Sequence, residues 1–392
     1  MMEKYNTNIK IAIKDICIKN IDSVKTNQIG LIDYIDIASV DNKSKTISSF
    51  KTIDIKDAPS RAKQLIKKND ILVSTVRPNL NAVAINNLIP SNIQVCSTGF
   101  CVLRPKEYVL PSYLFNFCKS DLFINEISQQ ATGASYPAVT SRIIKNCQIP
   151  LPSLSEQKRI ADILDNATEL IALRKQQLEK LDLLVKSRFI EMFGTFPLNE
   201  KKWKTGNIRE VISEARYGSS RPAVDGGRYP YLRMNNITYS GELDLTDIKY
   251  IDIPDNELVR CAVSRGDVLF NRTNSKELVG KTCVYDRDEM MILAGFVIRV
   301  RVNELVLPDF LSAFLNTDFS KQMLQKMCKV AIGQANINAK ELQDIALYIP
   351  PVETQKDFVV FKQQVSELKY TLQQSLEKLE LNYKALMQTY FG

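Results

Sequence analysis

The sequence predicts an α+β protein made of one module written twice: two tandem α/β globules separated by two long helices that form an antiparallel coiled coil, a pseudo-twofold dumbbell. Three observations lead there. The chain repeats itself at an offset of about 198 residues; each copy opens with short β-branched and aromatic runs; and each closes on a long segment without glycine or proline, apolar every seven residues.

The repeat comes first because it sets the element count. ATGASYPAVTSRIIKNCQIPLPSLSEQKRI from Ala131 has its counterpart in VAIGQANINAKELQDIALYIPPVETQKDFV from Val330, pairing Gly133 with Gly333, Pro150 with Pro350 and Gln157-Lys158 with Gln355-Lys356. Upstream, Asn69-Asp70-Ile71-Leu72 matches Gly266-Asp267-Val268-Leu269; downstream, Phe193-Gly194 matches Phe391-Gly392. Gly133 and Gly333 serve backbone geometry rather than ligand contact, because glycine permits turns that other residues resist.

The globular parts span 1–150 and 196–350. ILVSTV, IQVCSTGFCVL, YPYLRM, GDVLF and GFVIRVRV read as strands of an irregular antiparallel or mixed sheet, broken by Asn, Pro, Gly and Ser clusters. PSYLFNFCKSDLFINEI and PDFLSAFLNTDFSKQML add helical stretches.

The helical parts span 151–195 and 351–392. Ser155 can cap the first turn after Pro150 and Pro152 have kept the chain extended. Leu164, Ile171, Leu178, Val185 and Met192 recur at sevens, with Ile163, Leu170, Leu181 and Leu184 beside them. Phe358, Val365, Leu372, Leu379 and Leu386 do so in the second copy, supported by Phe361, Leu368 and Leu376. About 36 residues at 1.5 Å each reach roughly 54 Å, more than one globule needs, so the other copy is the expected partner. Packing of each helix on its own globule is the alternative.

Composition removes several chemistries. Histidine is absent, and the eight cysteines include no Cys-x-x-Cys pair, which excludes His-dependent nucleophilic triads and the usual zinc centres and leaves reduced core thiols as the expectation. Neither a Gly-x-x-x-x-Gly-Lys-(Ser/Thr) loop nor an (Asp/Asn)-Pro-Pro-(Tyr/Phe) string occurs, so no cofactor is expected. No apolar run is long enough for a membrane span, and MMEKYNTNIK has no apolar signal segment, which gives a cytoplasmic expectation. Of the net charge of +8, residues 1–195 carry 26 Lys+Arg against 19 Asp+Glu, and 196–392 carry 26 against 25. A polyanionic partner fits the first half best.

IPLPSLSEQKRIADILD, with Pro150, Pro152, Leu154, Glu156, Gln157 and Ile160, and GQANINAKELQDIALYIPP, from Gly333, resemble the specificity subunits of type I restriction-modification systems over essentially the whole chain. The second copy is shorter by two residues and has Thr354 where the first has Glu156. NDILVSTVRPN and GDVLFNRTNSKELVGK look like the family's other recurrent segment. The resemblance implies target-recognition domains at 1–150 and 196–350, spacer helices at 151–195 and 351–392, and a two-part DNA target with an unspecified gap. It also implies double-stranded DNA, two modification (methyltransferase) subunits and restriction subunits as partners, with all catalysis in those partners. The alternative is a structural, regulatory or silent-allele homologue that pairs with other subunits without reading DNA.

Reading bases needs Arg, Lys, Asn and Gln presented from loops, with cations on phosphates to set register. In the first domain this selects Arg61, Lys63, Arg77, Asn79, Asn81, Tyr136 and Arg142. In the second it selects Arg216, Tyr217, Ser219, Arg221, Arg233, Asn235, Asn236, Asn271, Arg272, Asn274 and Lys281.

Overall fold

Two buried aspartates show how the repeat is built. Asp70 turns the chain by accepting the Lys67 N–H (2.8 Å) and holds Arg104 in a two-pronged pair (2.8 and 2.7 Å). Asp267 does the same with the Ser264 N–H (2.8 Å) and Arg301, whose Nε donates at 2.8 Å. Each aspartate thereby fixes the entry to a fully buried strand, Ile71–Ser74 or Val268–Asn271.

The computed structural model describes residues 10–24, 30–331 and 334–392, which leaves Gly333 and the first nine residues outside. The chain divides into two compact units, Met1–Arg174 with Ser375–Gly392, and Lys175–Gln374. In the first, strands Lys51–Asp54, Leu31–Ile35, Ile93–Ser97 and Ala62–Leu65 form a mixed sheet in that order; Leu31–Ile35 and Ile93–Ser97 run parallel. An antiparallel sheet of Phe100–Leu103, Ile71–Ser74 and Val83–Ile85 lies beside it in sequence, and Lys10–Ala12 pairs with Gln148–Pro150. The second unit repeats the plan: a mixed sheet with Tyr229–Leu232 parallel to Met291–Leu293, an antiparallel sheet around Val268–Asn271 and Val297–Val302, and Lys204–Asn207 paired with Ala346–Ile349.

The two helical strings each break in two. Ser120 accepts the Phe123 N–H (3.2 Å) and starts Asp121–Gln129 after Pro111–Cys118 has ended; Thr317 accepts the Ser320 N–H (3.2 Å) and starts Asp318–Met327 after Pro308–Leu315. A side-chain oxygen on the first free N–H groups outcompetes continuation of the helix.

The central helix spans Leu154–Phe193 and the C-terminal helix Val352–Phe391, 40 residues each. In the first unit Arg159 lies over the Tyr390 ring (5.8 Å) and Thr168 hydrogen-bonds Tyr383; in the second Asp182 meets Lys369 (2.6 Å), Arg188 lies over Phe361 (5.7 Å) and Phe189 packs on Phe358 (5.3 Å). Within each unit the numbers rise on one helix as they fall on the other, so the pairing is antiparallel. The helices also pack on the globules, since Ile160, Leu164, Met387 and Phe391 share a core with Tyr113 and Phe117, and Phe189, Phe193 and Phe358 share one with Phe310 and Phe314. Pairing and packing on a globule therefore coexist.

Two details differ from the sequence reading. The first helix is capped by Ser153, whose Oγ accepts the Glu156 N–H (3.3 Å), not by Ser155. Of the seven-residue stripe, Leu164, Phe358 and Val365 are buried and Ile171, Leu178, Val185, Met192, Leu372, Leu379 and Leu386 half-buried, while the flanking Leu170, Leu184 and Leu368 are exposed. A two-helix seam covers a narrower stripe than a globular core does.

Glu156-Gln157 is more than a helix start. Gln157, 1% exposed, accepts the Leu110 N–H (2.9 Å) and donates to the carbonyls of Tyr108 (3.2 Å) and Pro152 (2.9 Å). Gln355 repeats this with Leu307 N–H (2.7 Å), Leu305 (3.0 Å) and Pro350 (2.8 Å). One buried amide thus ties each helix start to the loop before the neighbouring short helix. Gln157→Leu and Gln355→Leu, which keep the volume and strand these main-chain groups, are expected to destabilise the chain by about 2 kcal/mol each in urea unfolding; an unchanged midpoint would contradict the clamp.

Candidate nucleic-acid interface

In the first unit main-chain bonds draw four loops together. Thr98 N–H donates to Arg61 O (2.9 Å), Thr75 N–H and Oγ1 both to Gly99 O (2.9 Å), Val139 N–H to Thr75 O (2.9 Å) and Arg77 N–H to Pro137 O (2.7 Å). Gly133 makes the returning loop possible: its φ is +101°, and a Cβ there would stand 2.9 Å from the Tyr136 carbonyl oxygen. The cluster gathers Arg61, Arg77, Asn79 and Tyr136, with Arg142 in the first turn of Ser141–Asn146 and Lys63 on the strand that follows Arg61. All six are exposed, and Tyr136 is 71% exposed. Among the described residues, Arg61, Lys63, Arg77 and Arg142 have no carboxylate partner, in keeping with the positive balance of the first half.

The second unit builds the same kind of edge. Ser219 N–H donates to Leu293 O (2.6 Å), Gly295 N–H to Ser219 O (2.7 Å), Arg272 N–H to Phe296 O (3.0 Å) and Ile337 N–H to Arg272 O (2.9 Å). Gly218 is required by this approach, since a Cβ would fall 2.0 Å from the Leu293 carbonyl oxygen. Arg272 stacks on Tyr217 (4.8 Å), whose hydroxyl accepts the Ala339 N–H (2.8 Å), and its Nη2 donates to Asn336 (3.0 Å). Arg216 and Arg221 are exposed but paired, with Glu214 and with Glu257 (2.8 Å). In both pairs the guanidinium is about half exposed while the carboxylate is largely covered, and Glu214 also holds Arg299 and Arg301.

Several sequence candidates are interior instead. Asn236 spends its amide on the Asp244 and Asp247 carbonyls (2.8 and 3.3 Å) and accepts the Arg233 N–H (2.9 Å); Asn271 donates to Thr273 O (3.0 Å) and Phe296 O (3.2 Å) and accepts from Asn274 (2.9 Å). Ser219 and Asn81 are buried, and the Asn81 carbonyl accepts Lys45 Nζ (2.5 Å). Lys281 is buried and donates to Met234 O (2.7 Å). Buried polar groups are normally paired at home, so Asn236, Asn271, Ser219 and Lys281 shape the loops rather than present donors, while the Asn81 amide nitrogen is buried without a partner among the described residues. Half-buried Arg233 is held by Asp247 (2.8 Å), while Asn235 is exposed. The sequence reading missed Phe296, 52% exposed at the turn behind Arg272, because GFVIRVRV reads as an uninterrupted strand whereas the strand starts at Val297.

Comparisons with known proteins show what the chain as a whole is similar to. The family model described as the type I restriction modification DNA specificity domain matches residues 7–183 and again 200–381. The chain is 26% identical over 350 residues to the type I restriction enzyme EcoKI specificity subunit of Escherichia coli K12, covering 83% of this chain and 74% of that one. It is 23% identical over 380 residues to the StySPI specificity subunit of Salmonella potsdam, covering 91% and 81%. A solved chain from work on complex assembly and conformational transition of the type I restriction-modification system superposes with a TM-score of 0.64 at 26% identity, covering 98% and 97%. The S subunit from M. genitalium shares the fold, with a TM-score of 0.57 at 14% identity over 100% and 98% of the two chains.

Lys321, buried behind the Arg272 edge, donates to Gly280 O (2.8 Å), and burial beside Lys186 and Lys281 lowers its pKa from 10.5 to about 7. Between those values the folded chain binds fewer protons than the unfolded one, so this site adds stability as pH rises above about 7. The urea midpoint of Lys321→Met is therefore expected to depend less on pH between about 6 and 8.5 than that of the parent chain. Parallel profiles would contradict the assignment.

Proposed function

The chain belongs to the family of type I restriction-modification DNA specificity proteins, and from that membership we propose that it reads a two-part DNA target, one part by each unit, across a gap of unspecified sequence. In this reading 1–150 and 196–350 are the target-recognition domains, and 151–195 and 351–392 the spacer helices. The observation that carries the proposal is the repeated loop edge, with Arg61, Arg77, Tyr136 and Arg142 in one unit and Arg216, Tyr217, Arg221 and Arg272 in the other.

Arginines on such an edge can serve bases and phosphates together, the cations setting register and the planar donors reading sequence. The chain is non-catalytic in this account. Methyl transfer belongs to two modification subunits, and cleavage to restriction subunits that join them in the cytoplasm. Among the described residues no helix is long and apolar enough to cross a membrane, and no group of three or more potential metal ligands is present.

Methylome sequencing of cells that express this chain with a modification partner is expected to return one motif in two parts separated by unspecified bases. A continuous motif, or none, would overturn the reading. Charge reversal of Arg216, Arg221 and Arg272 together is expected to weaken binding of the assembled complex to that site at least about tenfold and to flatten its salt dependence. Unchanged affinity with intact folding would remove the second edge from the interface.

A further inference from the structure

The segment from Val76 to Asn81 is held in an unusual shape. Arg77 (φ 48°, ψ 61°) and Asn81 (φ 46°, ψ 54°) both lie in the left-handed region and bracket the single 3-10 turn Pro78–Leu80. For residues that carry a Cβ this backbone is disfavoured, and it persists only where the surroundings fix it. Here they do, through Arg77 N–H to Pro137 O (2.7 Å), Leu80 N–H to Arg77 O (2.9 Å), Asn81 N–H to Pro78 O (2.9 Å) and Lys45 Nζ to Asn81 O (2.5 Å).

The outcome of this fixation is the placement of one side chain. The Arg77 guanidinium sits over the exposed Tyr136 ring at 5.0 Å and has no hydrogen-bond or carboxylate partner among the described residues. A guanidinium held over a ring face by cation–π attraction keeps its N–H donors available for a second partner. Arg272 in the second unit also lies over a ring, but its Nη2 is already spent on Asn336. Arg61, Lys63 and Arg142 have no such support and suit phosphates, which need charge more than a fixed plane.

Resting on the reading of this chain as a two-part DNA reader, we propose that Arg77 is a specificity-determining residue of the first unit that selects guanine, and that Tyr136 is the positioning residue that holds it ready. A planar pair of N–H donors matches the O6 and N7 acceptors on the major-groove edge of guanine, and no other base offers two acceptors there.

The test is the methylome of the assembled complex for the parent chain, Arg77→Ala, Arg77→Lys, Arg77→Gly, Tyr136→Phe and Tyr136→Leu. Arg77→Ala is expected to lose roughly 10- to 100-fold discrimination at a single guanine position of one half-site while the other half-site stays unchanged. Arg77→Lys, which keeps the charge but not the planar fork, should relax the same position; Tyr136→Leu should relax it less, and Tyr136→Phe not at all. Arg77→Gly should relax it too while raising the thermal midpoint by about 2 °C, because glycine tolerates the left-handed backbone.

A full-stringency motif in Arg77→Ala overturns the proposal, as does an even loss of methylation at every position, which is the behaviour of a phosphate contact. Relaxation at a position that is an A·T pair overturns the guanine assignment. If the parent chain gives a gapped motif and Arg77→Ala leaves it intact, the two-part reading stands and this inference falls. If the parent chain gives no gapped motif, both fall.

Discussion

Each unit is closed by aromatic side chains that arrive on the ends of the long helices, and the rest of the structure depends on that closure. Phe391 packs against Tyr113 and Phe117 (5.4 and 5.6 Å) in the first unit, and Phe358 against Phe189 and Phe193 (5.3 and 5.7 Å) in the second. Burying one such ring contributes about 2–3 kcal/mol, and opening the cavity by truncation costs about 3–5 kcal/mol. Neither contiguous half of the chain contains a complete unit, because the first needs Ser375–Gly392 and the second needs Lys175–Phe193. The antiparallel seam is thus part of how each globule folds.

The same constraint explains what the loops can do. A scaffold fixed by buried Gln157 and Gln355, by the Asp70–Arg104 and Asp267–Arg301 pairs and by aromatic plugs leaves its chemical variety to the edge where the loops meet. There the two units diverge in chemistry while sharing construction. Among the described residues the first offers cations without a carboxylate partner and an arginine over a tyrosine ring; the second offers arginines already resting on carboxylates, with an exposed phenylalanine nearby. Under the proposed reading, one framework with two differently furnished edges suits two independent half-sites, since DNA contacts divide into those that position and those that specify.

The repeat, the fold class and the antiparallel helix pairing were legible in the sequence because each rests on periodicity, and periodicity survives without coordinates. The aspartates of NDIL and GDVL and the glutamines of SEQK and TQKD were visible as matches, but their roles were not. A buried amide and a solvated one look alike in a string, and only the fold shows which carbonyls stand opposite. The candidate contacts suffered from the same ambiguity. Asn236 and Asn271 sit in loop-like strings yet face inward, whereas Arg77 and Tyr136, far apart in sequence, meet because Thr75, Pro137 and Val139 lock their loops together. Phe296 was hidden for the opposite reason, an apolar residue at a turn that passes for the start of a strand.

The most direct test of this account is hydrogen–deuterium exchange on the chain assembled with its modification partner, with and without the cognate duplex. Protection on DNA binding is expected at residues 58–63, 75–81, 98–99 and 132–142 and, in the second unit, at 216–221, 272–275, 293–296 and 334–339. Protection restricted to the long helices, with both loop edges exchanging as they do without DNA, would contradict it.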